Sequence, residues 1–554
     1  MKKTTMLLCS LLFFVYLNAQ QNNPRKEGWH LLDPATTGYL GISLDEAYQL
    51  LKGRTPSHII VAVIDSGLDT AQEDLQGVIW TNEKEIPGNG IDDDGNGYID
   101  DIHGWNFDGS AAGENLARNS HEITRVYHNW RTEFEGKKEN RIPADRRYLY
   151  GQWKKAAAII ETEYKNAQQV LPRLLEMQSS LQGAKKILDL ALGKTDFTSN
   201  DLKPLAGENA IIRNSATIWY NMFERFSDPM TSLGVMANLD AYIGQLNTAV
   251  SRFTNPPEDY RGQLTKDRYE DITDRSYGNN NLKTGSGNHG TLVSGTIAAV
   301  RNNGIGMDGI TGNVSIMAVR AVPGGDEHDK DVALAIRYAV DNGARVINMS
   351  FGKPVSPYKK MVDDAVRYAA SKNVLLVHGS GNDGKDITTD IFYPNPVFLE
   401  GDTATNYLTV GASGDLSTGA IAAPFSNYSH RSVDVFAPGM YIYTTAANNQ
   451  YEGADGTSLA SPVATGVAAL LISYFPALTP QEVKNIMVQT GVNIPYEVAL
   501  PGQPEKKAAF NTLSVSGKII NAADAVKMAL QMETANAGKP GPQSAEPATA
   551  RQPE

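Results

Sequence analysis

The chain has 554 residues, of which 41% are hydrophobic and 20% are charged, and its formal net charge is −12. This length allows roughly two to four average domains, or one large domain with insertions. The acidic balance argues against nucleic acid or an anionic membrane surface as a partner.

The N-terminus has the pattern of a secretory signal peptide, which we predict over residues 1–19. Lys2 and Lys3 precede a short apolar run, 6–17, and small residues that suit a cleavage site follow. The run is too short to span a bilayer comfortably, and an uncleaved anchor is the alternative. We expect no transmembrane segment further along the chain.

The chain has one cysteine, Cys9, which lies inside the predicted signal. Lipidation of Cys9 is one alternative to its removal with the signal. After removal, the mature chain would contain no disulfides although it leaves the cytoplasm. We therefore expect a periplasmic or extracellular protein that is stabilised by packing or by a bound metal. The oligomeric state stays open.

Continuous apolar runs rich in β-branched residues recur along the chain and predict strands that are buried on both faces. Helical patterns lie between these runs. The alternation predicts an α/β fold with three layers, in which a parallel sheet carries helices on both faces. Functional residues collect at the carboxyl ends of strands in such sheets. The predicted strands are 59–64, 314–319, 346–349, 374–377 and 407–410, and the clearest helices are 331–342 and 359–372.

Residues 115–275 interrupt this pattern with long helical periodicity and many Glu, Lys, Arg and Gln residues. We predict a mainly helical insertion, with helices near 150–192, 210–226 and 231–253. Such an insertion is either a packed cap without chemistry or a lid that restricts access to a site.

The rest of the chain would then form one α/β domain in two parts, 45–114 and 276–532. An N-terminal extension, 20–44, precedes it. The last residues, 533–554, are rich in Ala, Gly, Pro, Gln and Glu and predict a disordered tail after a final helix at 521–532.

Four polar residues stand at predicted element ends, where each also has an ordinary structural explanation. Asp65 directly follows the first buried strand, where it could equally cap a turn. His289 stands among glycines ahead of a small-residue helix, which suits an imidazole that projects into a cleft. Asn382 follows a strand in a segment that also fits a plain turn. Ser458 precedes an apolar helical run, where serine is commonly an N-cap and where free N–H groups favour negative charge.

The segments around these four residues resemble the subtilisin-like serine proteases, the subtilase family or peptidase family S8. The order Asp, His, Ser is the order of that family. One such motif would be modest evidence, whereas all of them in this order are specific. The resemblance covers 45–110 and 277–530. The matching segments are 61–67, 289–296, 348–352, 379–382, 425–428, 437–439 and 456–462.

The resemblance implies a serine endopeptidase that acts on protein or peptide substrates without an organic cofactor. Ser458 would attack the scissile carbonyl, and His289 would take its proton and then protonate the leaving amine. Asp65 would fix the tautomer of the imidazole. Asn382 would donate a hydrogen bond to the oxyanion, beside the backbone N–H of Ser458.

The resemblance also implies backbone segments that bind an extended peptide by strand addition, which gives broad specificity. Phe392 stands where a small residue often floors the pocket for the residue before the cut, so we expect a shallow pocket. The substrate-binding residues implied are Ser350, Phe351, Gly352, Gly379, Ser380, Gly381 and Phe392.

The chain departs from the family pattern in several places. Leu292 stands where the family often has a second histidine, and Leu459 where it often has methionine. Both are apolar packing changes. The segment before the first strand is too short for the usual folded propeptide of the family. The insertion separates Asp65 from His289 on a loop that should open near the cleft, which favours a lid that restricts a broad specificity.

An acidic segment at 89–101 resembles a calcium loop, with Gly97 in the sixth place counted from Asp92. The glutamate that is usual in the twelfth place is missing, because His103 stands there. So many like charges would repel one another without a cation, and a solvated acidic turn is the alternative. The expected ligands of a structural calcium ion are Asp92, Asp94, Asn96, the Tyr98 carbonyl, and Asp100 or Asp101.

Two other functions are alternatives to the protease. A catalytically silent relative would use the helical insertion as an interaction surface, but such a protein tends to lose one of the four polar residues. An acid-active relative would use Glu as the base and Asp in the oxyanion site, which His289 and Asn382 disfavour.

Overall fold

The computed structural model describes residues 26–226, 228–283, 287–415 and 420–537. The predicted signal peptide with Cys9, and residues 538–554 of the predicted tail, lie outside the described residues. The described chain divides into two compact units. The larger contains the residues up to 122 and those from 258 onward, and the smaller contains 123–257.

The strands of the described residues all belong to the larger unit. In chain order they are β1 (Ile59–Asp65), β2 (Gly104–Asn106), β3 (Val314–Arg320), β4 (Ala344–Met349), β5 (Leu375–Gly379), β6 (Tyr407–Ser413), β7 (Val435–Pro438), β8 (Ile442–Ala446), β9 (Gln450–Ala454), β10 (Val492–Asn493), β11 (Glu497–Leu500), β12 (Gln503–Ala509) and β13 (Lys518–Ile519).

The α-helices of the described residues are α1 (Pro34–Thr37), α2 (Leu44–Leu50), α3 (Glu122–Phe134), α4 (Arg147–Leu192), α5 (Ser199–Leu202), α6 (Ala210–Phe223), α7 (Ser232–Thr254), α8 (Tyr260–Thr265), α9 (Asn288–Ala298), α10 (Asp329–Asp341), α11 (Lys359–Ser371), α12 (Thr457–Tyr474), α13 (Pro480–Gln489) and α14 (Ala522–Ala537).

A nine-stranded sheet organises the larger unit, in the order β10-β13-β7-β6-β5-β4-β1-β3-β2. All neighbours in this sheet are parallel except β10 and β13. Parallel neighbours need crossover connections, which the helices between the strands supply. Two hairpins, β8–β9 and β11–β12, stand apart from the sheet.

The central strand β1 shows why the sheet is buried on both faces. Ile59, Val61 and Val63 join a core that includes side chains of α9, α12 and α14. Ala62 and Ile64 point to the opposite face, as alternate residues of a strand must, and join a second core with α10 and α11. The predicted three-layer α/β fold with helices on both faces is therefore confirmed.

The carboxyl ends of β5, β4 and β1 are adjacent, since these strands are neighbours in the sheet. The five strands predicted from the sequence are all present, with bounds that differ by at most a few residues. The short strands β8 to β13 lack the long apolar runs that carried this prediction, because they lie at an edge or in hairpins.

The helical unit has its own apolar core. Helix α4 has 46 residues, about 69 Å at 1.5 Å per residue, and it packs against α6 and α7. Trp219 of α6 is fully buried, and its indole N–H donates to the carbonyl oxygen of Leu181 on α4 at 3.1 Å. The helices lie close to the predicted 150–192, 210–226 and 231–253.

The smaller unit is shorter than the predicted insertion, because residues 115–122 and 258–275 group with the larger unit. Buried ion pairs hold the second of these segments. Arg261 of α8 is 2% exposed and contacts Asp331 of α10 at 2.6 Å and Asp267 at 2.8 Å. At the other end of the chain, α14 extends to Ala537, five residues beyond the predicted end of the final helix.

Among the described residues, helix α12 is long and apolar enough to cross a membrane by length and composition. The helix is apolar because it lies between the sheet and its neighbouring helices, and 89% of its length is buried.

Candidate active site

Asp65 and His289 meet directly, although the helical unit separates them in the chain. Asp65 is the last residue of β1 and is 2% exposed. Its Oδ1 lies 2.8 Å from Nδ1 of His289 and also accepts the backbone N–H of Ser66 at 2.6 Å. Because a carboxylate only accepts hydrogen bonds, Nδ1 carries the hydrogen and Nε2 is the basic nitrogen.

Two glycines allow this approach. A Cβ on Gly290, the residue after His289, would lie 1.9 Å from the carbonyl oxygen of Gly67. Gly67 itself has φ of +111°, and a Cβ there would lie 2.2 Å from the Leu282 carbonyl oxygen. Only glycine fits at both positions, so the start of α9 can lie against the turn after β1.

The electrostatic setting makes His289 a stronger base. The negative charge of Asp65 raises the pKa of His289 above its ordinary value of 6.5, and burial opposes this shift without cancelling it. The imidazole is 40% exposed, so solvent reaches it. A proton taken up by His289 is therefore stabilised by the carboxylate behind it.

Ser458 is the second residue of α12, and its side chain is half-buried. Its hydroxyl donates to the carbonyl oxygen of Ser350 at 3.3 Å, while the hydroxyl of Ser350 donates to the carbonyl oxygen of Ser458 at 2.9 Å. The first of these bonds is long and therefore weak. The Ser458 hydroxyl is held beside the carboxyl end of β4 but is easily released to another acceptor.

Asn382 reaches the same helix end from the loop after β5. Its Oδ1 accepts the backbone N–H and the hydroxyl of Thr457, each at 2.9 Å. With the oxygen occupied, the exposed Nδ2 is left to donate. A Cβ on Gly456 would lie 3.6 Å from both Nδ2 of Asn382 and Cβ of Ser458, so these two groups border the same space.

A buried asparagine that the sequence analysis gave no role fixes α12 against the sheet. Asn348 near the end of β4 is fully buried, and its Oδ1 accepts hydroxyls of Ser461 and Thr465, each at 2.9 Å. Its Nδ2 donates to Ser350 Oγ at 2.9 Å. Three hydrogen bonds from one side chain therefore set the position of Ser458 relative to the strand.

The two predicted substrate-binding segments follow neighbouring strands. The first, Ser350, Phe351 and Gly352, comes directly after β4. The second, Gly379, Ser380 and Gly381, runs from the end of β5. The backbone N–H of Gly381 donates to the Thr457 hydroxyl at 3.1 Å, so this second segment is bonded to the residue before Ser458.

Lys353 anchors the end of the first segment, and no local signal in the sequence indicates this. Its backbone N–H and C=O both pair with Tyr393 at 2.9 Å. The side chain is 2% exposed, and Nζ contacts carboxylates of Glu122 at 3.0 Å and Asp329 at 2.8 Å and the carbonyl oxygen of Glu327 at 2.8 Å. The partners come from distant parts of the chain, which only the fold brings together.

Trp29 of the N-terminal extension explains the two apolar departures from the family pattern. Trp29 is fully buried in one cluster with Leu292, three residues after His289, and Leu459, which follows Ser458. Its indole N–H donates to the Met440 carbonyl oxygen at 3.1 Å. The extension therefore packs against the starts of α9 and α12, where a buried leucine stands at each of the two departures.

In the acidic loop, the structure brings together three carboxylates. Oxygens of Glu85, Asp92 and Asp94 all lie within 4.8 Å of one another. Hard oxygen donors at this spacing fit a calcium ion. The sequence analysis does not name Glu85, because this residue lies upstream of the loop. Oε1 of Glu85 accepts the N–H groups of Asp93 and Asp94, which ties it to the loop.

Asp100 and Asp101 do not belong to this group of three carboxylates, and each accepts several hydrogen bonds from other groups. Asp100 accepts backbone N–H groups of 88–90. Asp101 is fully buried and accepts bonds from Asn82, Asn96 and Tyr338, and burial raises its pKa to about 6.

Two further expected ligands are the side chain of Asn96 and the carbonyl oxygen of Tyr98. The side chain of Asn96 donates to Asp101 and accepts the backbone N–H of Tyr98 at 2.8 Å. The ring of Tyr98 is 4% exposed and packs on Trp105 with ring centroids 5.1 Å apart, which anchors the loop to the core of the larger unit.

Comparison with family models matches residues 57–517 to the peptidase S8 model, which describes the subtilase family. This match spans most of the chain. The chain belongs to the subtilase family, and the predicted family is confirmed.

Among individual relatives, the chain is 38% identical over 232 residues to a thermophilic serine proteinase of Bacillus sp. (strain AK1), with 42% of this chain and 52% of the relative aligned. It is 32% identical over 301 residues to a cell wall-associated protease of Bacillus subtilis (strain 168), covering 54% of this chain and 30% of that protein. It is 33% identical to subtilisin DY of Bacillus licheniformis, and the alignment covers 38% of this chain and 73% of subtilisin DY.

The chain thus spans about half the length of the first of these relatives and less than a third of the second. Among solved structures, the prenylagaramide maturation protease PagA matches 44% of this chain and 82% of its own, with 26% identity and a TM-score of 0.36.

Proposed function

We propose that this chain is a serine endopeptidase that hydrolyses peptide bonds through Asp65, His289 and Ser458. The observation that carries the proposal is the 2.8 Å bond between Asp65 Oδ1 and His289 Nδ1. This bond leaves Nε2 as the basic nitrogen, and a raised pKa suits a general base. The names of two relatives, a thermophilic serine proteinase and a cell wall-associated protease, support the same activity.

In this mechanism, Ser458 Oγ leaves the Ser350 carbonyl oxygen and attacks the scissile carbonyl carbon as Nε2 of His289 takes its proton. The imidazolium is stabilised by Asp65 and then gives the proton to the leaving amine. Water, deprotonated by the same nitrogen, hydrolyses the acyl-enzyme. The oxyanion receives hydrogen bonds from Nδ2 of Asn382 and the backbone N–H of Ser458.

Substrate binding belongs to the same proposal. The peptide would pair as an extended strand with the segment 350–352, and the segment 379–381 would border the recess for its side chain; both segments border the start of α12. We also propose that the helical unit, 123–257, restricts which substrates enter, because it is inserted between two catalytic residues. Removal of 123–257 would then raise activity on folded proteins more than on short peptides, and an equal change on both would contradict this role.

Labelling with a fluorophosphonate tests the central proposal. The intact protein should be labelled, and the variant Ser458→Ala should not. His289→Ala should also lose labelling while it remains folded. Absence of labelling in correctly folded intact protein would overturn the proposal and would favour a catalytically silent relative.

We further propose that the protein is exported and that it holds one structural calcium ion. Export rests on the predicted signal at 1–19 and on a relative whose name places it at the cell wall. Fractionation of cells into cytoplasm, periplasm and medium tests it.

The calcium proposal rests on the three carboxylates of Glu85, Asp92 and Asp94. They would hold the ion in the acidic loop, and it would neutralise their mutual repulsion.

A further inference from the structure

The two substrate-binding segments face each other across a narrow gap beside Ser458, and the gap is already filled. A Cβ placed on Gly352 would lie 2.3 Å from a carbon of the Phe392 ring, and a Cβ on Gly381 would lie 3.1 Å from the same carbon. Two glycines on opposite walls therefore leave space for one flat ring. The ring that occupies it belongs to the chain itself.

The floor beneath this ring is rigid. His378 is 1% exposed and lies parallel to Phe392, with ring centroids 6.0 Å apart and an angle of 29° between the planes. Burial lowers the pKa of His378 to about 4, so the imidazole is neutral at neutral pH. Its Nε2 lies 2.7 Å from the Phe351 carbonyl oxygen and donates to it, because a carbonyl only accepts.

The loop that carries Phe392 is fixed directly after the ring. Tyr393 pairs with Lys353 through two backbone hydrogen bonds of 2.9 Å. The Tyr407 hydroxyl donates to the Pro394 carbonyl oxygen at 3.1 Å. A ring held in this way is not easily displaced by a substrate side chain.

We propose that Phe392 closes the recess beside Ser458 that would receive the side chain before the scissile bond. The enzyme therefore accepts peptides with Gly, Ala or Ser at that position and rejects large apolar and aromatic side chains. His378 acts as a positioning residue, since it supports the ring and the strand carbonyl without touching substrate. This substrate class rests on the proposed endopeptidase function.

A peptide series that differs only in the residue before the cut, with Gly, Ala, Ser, Leu or Phe, tests the proposal. For the intact protein, kcat/KM should be at least about 100-fold higher for Ala than for Phe, since the added ring has no space. Phe392→Gly should raise kcat/KM for Phe and Leu at least tenfold and change Ala much less. Ile391→Gly is the matched control, because it adds the same backbone freedom at a neighbouring position that is 46% exposed, and it should keep the original ratio.

The other results are also decisive. Equal cleavage after Ala and Phe by the intact protein would overturn the proposal, as would an unchanged ratio in Phe392→Gly. If that variant does not fold, Phe392→Ala and the profile of the intact protein give the answer. His378→Ala should lower the Ala-to-Leu ratio, whereas a merely structural role would reduce both rates equally. Loss of fluorophosphonate labelling together with all cleavage would refute the endopeptidase function itself, which distinguishes the two failures.

Discussion

Asn382 holds Thr457 by two hydrogen bonds to one oxygen, from the backbone N–H and from the hydroxyl, each 2.9 Å long. Thr457 directly precedes Ser458, so this contact joins the proposed oxyanion donor to the residue that carries the proposed nucleophile. Because Oδ1 is occupied, the amide cannot turn over without losing both bonds. The donor is therefore oriented before any substrate arrives, which is the condition for effective oxyanion stabilisation.

Asn382→Ala should lower kcat by about 100- to 1,000-fold with little change in KM, since the lost bond forms mainly in the transition state. Thr457→Val keeps the backbone N–H bond to Asn382 but removes the two hydroxyl bonds, to Asn382 and from Gly381, and it should have a smaller effect. Steady-state kinetics on a peptide with alanine before the cut measures both. An unchanged kcat in Asn382→Ala would show that the oxyanion is stabilised elsewhere.

Activity should rise with pH as His289 loses its proton. Asp65 raises the pKa of His289, so the midpoint should lie above 6.5. Asp65→Asn removes the charge while burial remains, so the midpoint should move to lower pH, and kcat should fall by about 10⁴-fold. Profiles of kcat/KM against pH for both proteins test this, and a midpoint at or below 6.5 in the intact protein would contradict it.

As pH rises, the stability contributed by the Asp65–His289 pair should fall, whereas the activity should rise. The folded state binds the imidazole proton more tightly than the unfolded state does, since the folded pKa is the higher one. The contribution of the Asp65–His289 pair is therefore fully present below the unfolded pKa and is lost as pH rises through the folded pKa. The denaturation midpoint of the intact protein, compared with that of Asp65→Asn over the same range, reports this difference.

The fold could be predicted because its signals are local, whereas Asp65, His289 and Ser458 stand out only through the resemblance of their segments to the subtilase family. The strand that ends at Asp65 is an uninterrupted apolar run, and His289 and Ser458 each stand at the start of a small-residue helix. What surrounds these residues could not be predicted, since Trp29, His378 and Lys353 act through partners far away in the chain. Their sequence neighbours carry no pattern that separates them from ordinary core residues.

The N-terminal extension should be required for a stable active site. Trp29→Ala should reduce the free energy of unfolding by about 3–5 kcal/mol, because it leaves a cavity between Leu292 and Leu459. Thr36→Ala, an exposed site in the same extension, should change it by less than about 0.5 kcal/mol. Urea denaturation measures both. Equal stabilities of the two variants would show that Trp29 is dispensable.

Removal of calcium should destabilise the protein through the carboxylates of the acidic loop. A bound ion at 100 times its Kd stabilises the folded state by about 2.7 kcal/mol, so a chelator should lower the melting temperature by several degrees. Glu85→Gln and Asp94→Asn should each abolish this response, because Glu85, Asp92 and Asp94 share one site. Asp93→Asn is the matched control, since Asp93 accepts bonds from Ile86 and Asn89 instead, and it should keep the response. A melting temperature that is the same with and without chelator would refute the calcium site. A response that survives in Glu85→Gln but not in Asp94→Asn would leave the loop as the site and remove Glu85 from its ligands.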